Sequence, residues 1–234
     1  MARPATDEHL APDLAQTRKQ WCDHFADDHG RVTAWMFIPH EILEPLMTGR
    51  LRHCSIEFAD DDPMFRMAYQ WMIDVMEASG IPSAKTGVSP WWCWVRAGYG
   101  ETKPTARCGT DDQLLLELSI PRHELLLSDF DMWHVPLNYW INAEGEAEER
   151  FEREINAAGL CIYDDKPLPE PFHSAVQATW LDIFRLDVVN GFTVDFQQKS
   201  IQGVFWTLTP DMVKGVVEPA PDFEVDEHEA PVAF

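Results

Sequence analysis

The chain has 234 residues, with 40 Asp and Glu against 18 Lys and Arg, a formal charge of -22, 45% apolar residues and ten tryptophans. That apolar and aromatic content excludes a disordered acidic chain, and a domain this long buries roughly two-thirds of its unfolded surface. Scarce Lys and Arg exclude direct nucleic-acid binding and an anionic membrane surface, both of which require clustered positive charge.

Residues 1–30 read as an acidic lead-in with a helix across Asp13 to Asp28, stopped by Gly30. Thr33 to Ile38 is an apolar strand closed by Pro39, and His40 to Met47 a short helix that Gly49 terminates. Asp60, Asp61 and Asp62 offer N-caps to a helix with Pro63 in its first turn and Gly80 past its end. Trp91 to Val95 and Gln113 to Ile120 have strand length and composition, and Pro121 closes the second. Between them Gly98 to Asp112 is a polar loop whose Lys103 and Arg107 join Arg96 in a basic island. Glu144 to Ala158 is a charged helix and Asp164 to Pro171 a Pro-rich linker; Ser174 and Gln177 form a capping box opening a helix through Phe184. Ile201 to Leu208 reads as a strand, Asp211 to Val217 as a short closing element, and 218–234 as a flexible acidic tail. Strands interleaved with helices predict an α+β fold: one domain over 31–217, with a mixed or antiparallel sheet and flanking helices.

Familiar catalytic signatures are missing. There is no Gly-x-x-x-x-Gly-Lys loop, no Gly-x-Gly-x-x-Gly and no Gly-x-Ser-x-Gly. His40-Glu41 and His123-Glu124 begin like zinc-protease motifs but lack the second His. The five cysteines contain no Cys-x-x-Cys, and the first eight residues have no signal-peptide apolar core. No apolar stretch nears the roughly 20 residues that span a bilayer. A cytoplasmic protein without a metal is the expectation.

Three clusters carry the candidate chemistry. In Ser128 to Trp140, a helix would put Phe130, Trp133, Leu137 and Trp140 on one apolar stripe and Asp131, His134 and Asn138 on its neighbour. Asp131 then either orients His134 or closes a capping box with Ser128, while Pro136 bends or breaks the helix. Asp129 and Asp131 also form an Asp-x-Asp of the kind that holds a metal-nucleotide. Trp92, Trp94 and Arg96 alternate on one strand face, either filling the core or stacking a planar base beside phosphate contacts from Arg96 and Arg107. Gln202 on the late strand, next to Gly203, is either a structural hydrogen-bonding hub or a ligand contact.

These blocks resemble an uncharacterised bacterial and phage family, the domain of unknown function (DUF) 3841. The resemblance rests on Tyr69-Gln-Trp-Met72, Pro90-Trp-Trp-Cys-Trp94, Lys103-Pro104 with Arg107, Leu127-Ser-Asp-Phe-Asp-x-Trp-His-x-x-Leu-Asn138, Trp180-x-x-Ile183-Phe184, and Gln202 with Phe205-Trp206. It spans roughly residues 33 to 217 and supplies positions but no reaction. The succession of a Trp strand, an aromatic middle strand and a late Gln strand is also similar to ADP-ribosyltransferase folds. That similarity implies an NAD-using enzyme or effector, with Trp92 and Trp94 clamping the base and Arg96, Arg107 and Asp129 near the cofactor. It places Asp131, His134, Asn138 and Gln202 at the reaction, Gln202 standing where such enzymes use Glu. The competing expectation is a non-catalytic protein whose acidic surface grips a protein partner, as a decoy or inhibitor in phage–host conflict.

Overall fold

Val32, Ala34, Met36 and Ile38 are buried while Thr33 and Phe37 are not, the period-two signature of β1 (Arg31–Pro39). Pro39, which has no N–H for a ladder, ends the strand and leads into α2 (His40–Met47). These elements belong to a computed structural model that describes residues 13–55, 62–83, 85–98, 102–110, 112–162, 166–189 and 195–220. Residues 1–12, Asp60 and Asp61 of the acidic cap, Asp164 and Asp165 of the linker, and 221–234 of the tail lie outside the described residues.

The predicted helix starts hold where a side chain can accept an orphan N–H. Asp13 accepts from Gln16 N at 3.1 Å to open α1 (Leu14–Phe25), and Asp62 accepts from Met64 N at 2.7 Å. The latter opens α3 (Pro63–Ala78), and Gly80 follows it at φ +88°. The remaining described elements are a ribbon of β2 (Cys54–Ser55) with β3 (Val88–Ser89), then β4 (Trp91–Arg96), β5 (Gln113–Pro121), β6 (Leu126–Asp129), α4 (Phe130–Leu137), α5 (Glu146–Ala157), α6 (Phe172–Thr179), β7 (Ile201–Phe205) and β8 (Val213–Val217). Two boundaries differ from expectation. Ser174 does not cap: α6 starts at Phe172 behind Pro171, and the Ser174 hydroxyl donates to Glu170 at 2.7 Å. The late strand stops at Phe205, and the next residue turns its indole N–H to Ile81 O at 2.7 Å.

Six strands form one sheet in the order β6-β7-β4-β1-β5-β8, every neighbour antiparallel, so the fold is α+β and its sheet is not mixed. One face packs Val32, Met36, Cys93, Leu116, Leu118, Leu127, Ile201 and Phe205 against Trp21 and Cys22 of α1 and Leu46 of α2. Helix α1 of the lead-in thus contributes to the core. The other face puts Leu126, Val204 and Trp92 beneath Met72 and Met76 of α3, Trp133 of α4 and Trp180 at the end of α6. Among the described residues no helix is long and apolar enough to cross a membrane.

Candidate functional site

Strand register brings one row of side chains together on the α4 face. Trp35 pairs with Trp94, Trp94 with Gln202, and Gln202 with Ser128. Directly paired residues point the same way, so β1, β4, β7 and β6 each contribute one member to a line spanning about 14 Å. Ser128 is fully buried and Gln202 is 6% exposed. Buried polar groups without a hydrogen-bond partner cluster here: Trp35 Nε1, Gln202 Nε2 and Ser128 Oγ on the row, and Trp92 Nε1 on the same face one pleat away. Folded proteins rarely leave such groups unpaired, since each forfeits its hydration without replacement.

Aromatic rings flank the row. Phe130 meets Trp94 at 4.6 Å between centroids, and His134 meets the edge of Phe130 at 5.2 Å. Trp92 instead packs at 4.9 Å from Trp133 and 5.6 Å from Tyr69, as part of the helix-covered core. Trp94 and Phe130, both half-buried, are the rings that adjoin Gln202 on the row.

Helix α4 carries Asp131, His134 and Asn138 along one edge while Met132, Trp133, Val135 and Pro136 are buried. The predicted polar stripe therefore exists, but its internal bonds are different. His134 Nδ1 lies 3.1 Å from the backbone oxygen of Asp131. A carbonyl only accepts, so Nδ1 carries the hydrogen, and in the neutral imidazole the lone pair is then on Nε2, the tautomer of a general base. Asn138 caps the helix end, its Nδ2 donating to His134 O at 2.8 Å. The helix ends at Leu137 and Tyr139 turns at φ +53°, which takes Trp140 off the predicted apolar stripe. Burial holds the Asp131 carboxyl above its ordinary value; the Asp129 charge adds to this, and His134 and Lys199 oppose it.

The capping box fails for a physical reason: Ser128 is held in β6, and Asp129 is the cap. Its Oδ1 accepts from Asp131 N at 3.0 Å and Met132 N at 3.2 Å, while Oδ2 accepts from Lys199 Nζ at 2.9 Å. Lys199 also donates to Val188 O at 2.6 Å, and both members of the ion pair are 1% exposed. Asp129 pairs with Ile201 and so lies on the α1 side of the sheet, away from Gln202.

Arg96 is on that side as well. A bulge between Trp94 and Arg96 shifts the register and pairs Arg96 with Ile201, so it does not share a face with Trp92 and Trp94. Its Nε donates to Lys199 O at 2.9 Å, a second guanidinium nitrogen to Phe196 O, and the group lies 4.7 Å over the Phe196 ring. Arg96 thus clasps the turn before β7. Arg107 is exposed on a short turn (Ala106–Cys108), and the next residue, Gly109, abuts Phe37 so closely that a Cβ would sit 2.4 Å from the ring. Phe37 shares the Trp35 face, so Gly109, at the end of this turn, meets the sheet on the same side as the row.

The register thus collects Trp94, Gln202 and, through α4, Asp131 and His134, with Asn138 at the far end of that helix. It separates Arg96 and Asp129 from them. Sequence reading placed Phe130 in the aromatic wall beside Asp131 and His134 but took Ser128 for a cap, and it missed Trp35 on the row and Lys199 as the partner of Asp129. It also missed Tyr139, whose hydroxyl accepts from Leu168 N at 3.0 Å and lies in hydrogen-bond contact with His173 Nδ1 at 2.8 Å. Tyr139 borders a cavity of about 350 Å³ shared with Trp140, Glu148, Phe151 and Lys166. Among the described residues no group of three or more His, Cys, Asp or Glu is placed to hold a metal.

Fold and site together define an α+β protein with an aromatic, imidazole-bearing cluster on one face of an antiparallel sheet. The chain belongs to the family described as domain of unknown function (DUF3841), whose model matches residues 41–214, about three quarters of its length. No curated protein and no solved structure matches it.

Proposed function

We propose that this protein is a nucleotide-using enzyme or effector of the ADP-ribosyltransferase kind, with NAD as its first candidate ligand. The observation that carries the reading is the junction of Trp94, Phe130, His134 and Gln202: two ring faces, an imidazole with a basic Nε2, and a buried amide. A planar base stacks on Trp94 and Phe130. Arg107 holds the phosphates, the role that the sequence reading gave to Arg96 or Arg107. His134 Nε2 takes the proton of an incoming nucleophile as the bond from ribose to nicotinamide breaks and nicotinamide leaves, with Asp131 beside it. Gln202, where a Glu would be expected, orients groups by hydrogen bonding and carries no charge.

The test is incubation with labelled NAD, following released nicotinamide and transferred label. Wild-type protein turns NAD over; His134→Ala, an exposed position, loses about 10²–10⁴-fold in kcat and melts within about 2 °C of wild type. Absence of turnover, transfer and thermal shift at millimolar NAD refutes the reading, as does full activity in His134→Ala.

A second reading keeps the protein non-catalytic, its acidic surface gripping a basic protein in a phage–host conflict. It is favoured by Glu144, Glu146, Glu148 and Glu149, which are exposed together at the start of α5. Capture of a partner that weakens steeply with salt supports it; capture indifferent to salt counts against it.

A further inference from the structure

The unpaired groups on the sheet specify the chemistry of what binds there. Trp35 Nε1 and Gln202 Nε2 are donors, Ser128 Oγ is a donor and acceptor, and all three are neutral. The nearest cations of the sheet are committed elsewhere: Arg96 to the backbone of Phe196 and Lys199, and Lys199 to Asp129 and Val188, all on the opposite face. A carboxylate or phosphate moved from water onto neutral donors in this low-dielectric row loses more hydration than it regains. A neutral carbonyl does not, and an amide or lactam edge presents a carbonyl beside an N–H, the complement of a glutamine side chain.

We propose that the row Ser128–Gln202–Trp94 is a recognition subsite for a planar ring that presents an uncharged amide or lactam edge, the edge read by Gln202 and Ser128 and the ring face by Trp94 and Phe130. The inference rests on the nucleotide reading and deepens it. Such an edge belongs to a pyridine carboxamide or to the lactam of a nucleobase. Cross-strand neighbours lie about 5 Å apart, so Ser128 and Trp94 stand about 10 Å apart on either side of Gln202, room for a ring with its amide edge, and Trp35, about 10 Å from Gln202, meets a nucleoside's far end. The polar groups sit buried and unpaired. Replacing them by apolar groups therefore relieves the free protein while removing the reader, the opposite of what a structural hub does.

Nicotinamide, uracil, nicotinate and NAD are titrated into the full chain, following side-chain amide and indole N–H signals by nuclear magnetic resonance. Gln202→Met and Ser128→Ala are assayed alongside. Expected is saturable binding of nicotinamide or uracil with shifts at the Gln202 amide, and at least tenfold weaker binding of nicotinate. Both variants keep or raise Tm, by about 2–4 °C per kcal/mol relieved, and bind the preferred neutral ring at least tenfold more weakly. Preference for nicotinamide or for uracil separates the two sources. Equal binding of nicotinate, or variants that melt lower yet bind normally, overturns the proposal. If NAD binds wild type and Gln202→Met alike, the proposal fails and the nucleotide reading stands. If the rings bind and NAD does not, the nucleotide reading fails and the subsite stands; if nothing binds, both fail.

Discussion

Lys199→Met removes one half of an ion pair in which each residue is 1% exposed. The Asp129 carboxylate would keep its bonds from Asp131 N and Met132 N but lose the ammonium 2.9 Å away. An uncompensated buried charge of this kind costs about 3–5 kcal/mol, whereas the intact pair is worth little against a neutral replacement because both ions were desolvated to form it. Lys199→Met should therefore unfold about 3–5 kcal/mol more easily, lowering Tm by roughly 6–20 °C in a chain of this length. Asp129→Asn keeps a capping oxygen and strands the ammonium instead; Asp129→Ala also loses the cap, adding about 1 kcal/mol. Asp129→Asn/Lys199→Met strands neither ion and should return to within about 2 kcal/mol of wild type. Urea unfolding of the four proteins, read by tryptophan fluorescence, measures the cycle. A loss below about 1 kcal/mol in Lys199→Met, or a double variant as weak as the sum of its parents, refutes the argument that this pair fixes the start of α4.

Two further predictions concern titration. The Asp131 carboxyl is held above its usual value by burial and by Asp129, so folding favours its protonated form. Its contribution is complete below the ordinary carboxylate value and is lost as pH rises through the raised one. Asp131→Asn should accordingly melt like wild type near pH 3 and higher near pH 7, and a difference that is flat or reversed contradicts the assignment. Burial pushes the Cys22 thiol up to about 12 and raises that of Cys93 as well, their Sγ atoms donating to Leu125 O and Gly203 O. Alkylation at pH 8, mapped by mass spectrometry, should label exposed Cys108 in the native protein and reach Cys22 and Cys93 only after denaturation. Rapid native labelling of Cys93 would show that the sheet opens there.

Punctuation made much of the fold readable. Pro39 and Pro121 bound their strands, and Asp13 and Asp62 open their helices, because those side chains act on the backbone within a few residues. The lateral strand order was not readable, since it depends on pairings such as Ser128 with Gln202, 74 positions apart. The same limit divides the site. Asp131, His134 and Asn138 share an edge by helical periodicity alone. The side on which Arg96 lies was decided by a bulge, and the partner of Asp129 by a lysine 70 positions away. Ser128 looked like a cap because its spacing to Asp131 fits one, but β6 holds Ser128 in the ladder and passes the cap to Asp129.

The central claim is that a base stacks on Trp94 and Phe130 beside Gln202 and His134. Isothermal titration of NAD into wild-type protein and Trp94→Ala, with near-ultraviolet circular dichroism confirming that the variant is folded, tests it most directly. The account predicts saturable one-to-one binding to wild type, weakened at least tenfold in Trp94→Ala, in line with about 1–3 kcal/mol for one base–aromatic stack. No binding to wild type at millimolar NAD, or equal affinity in the two proteins, would contradict it.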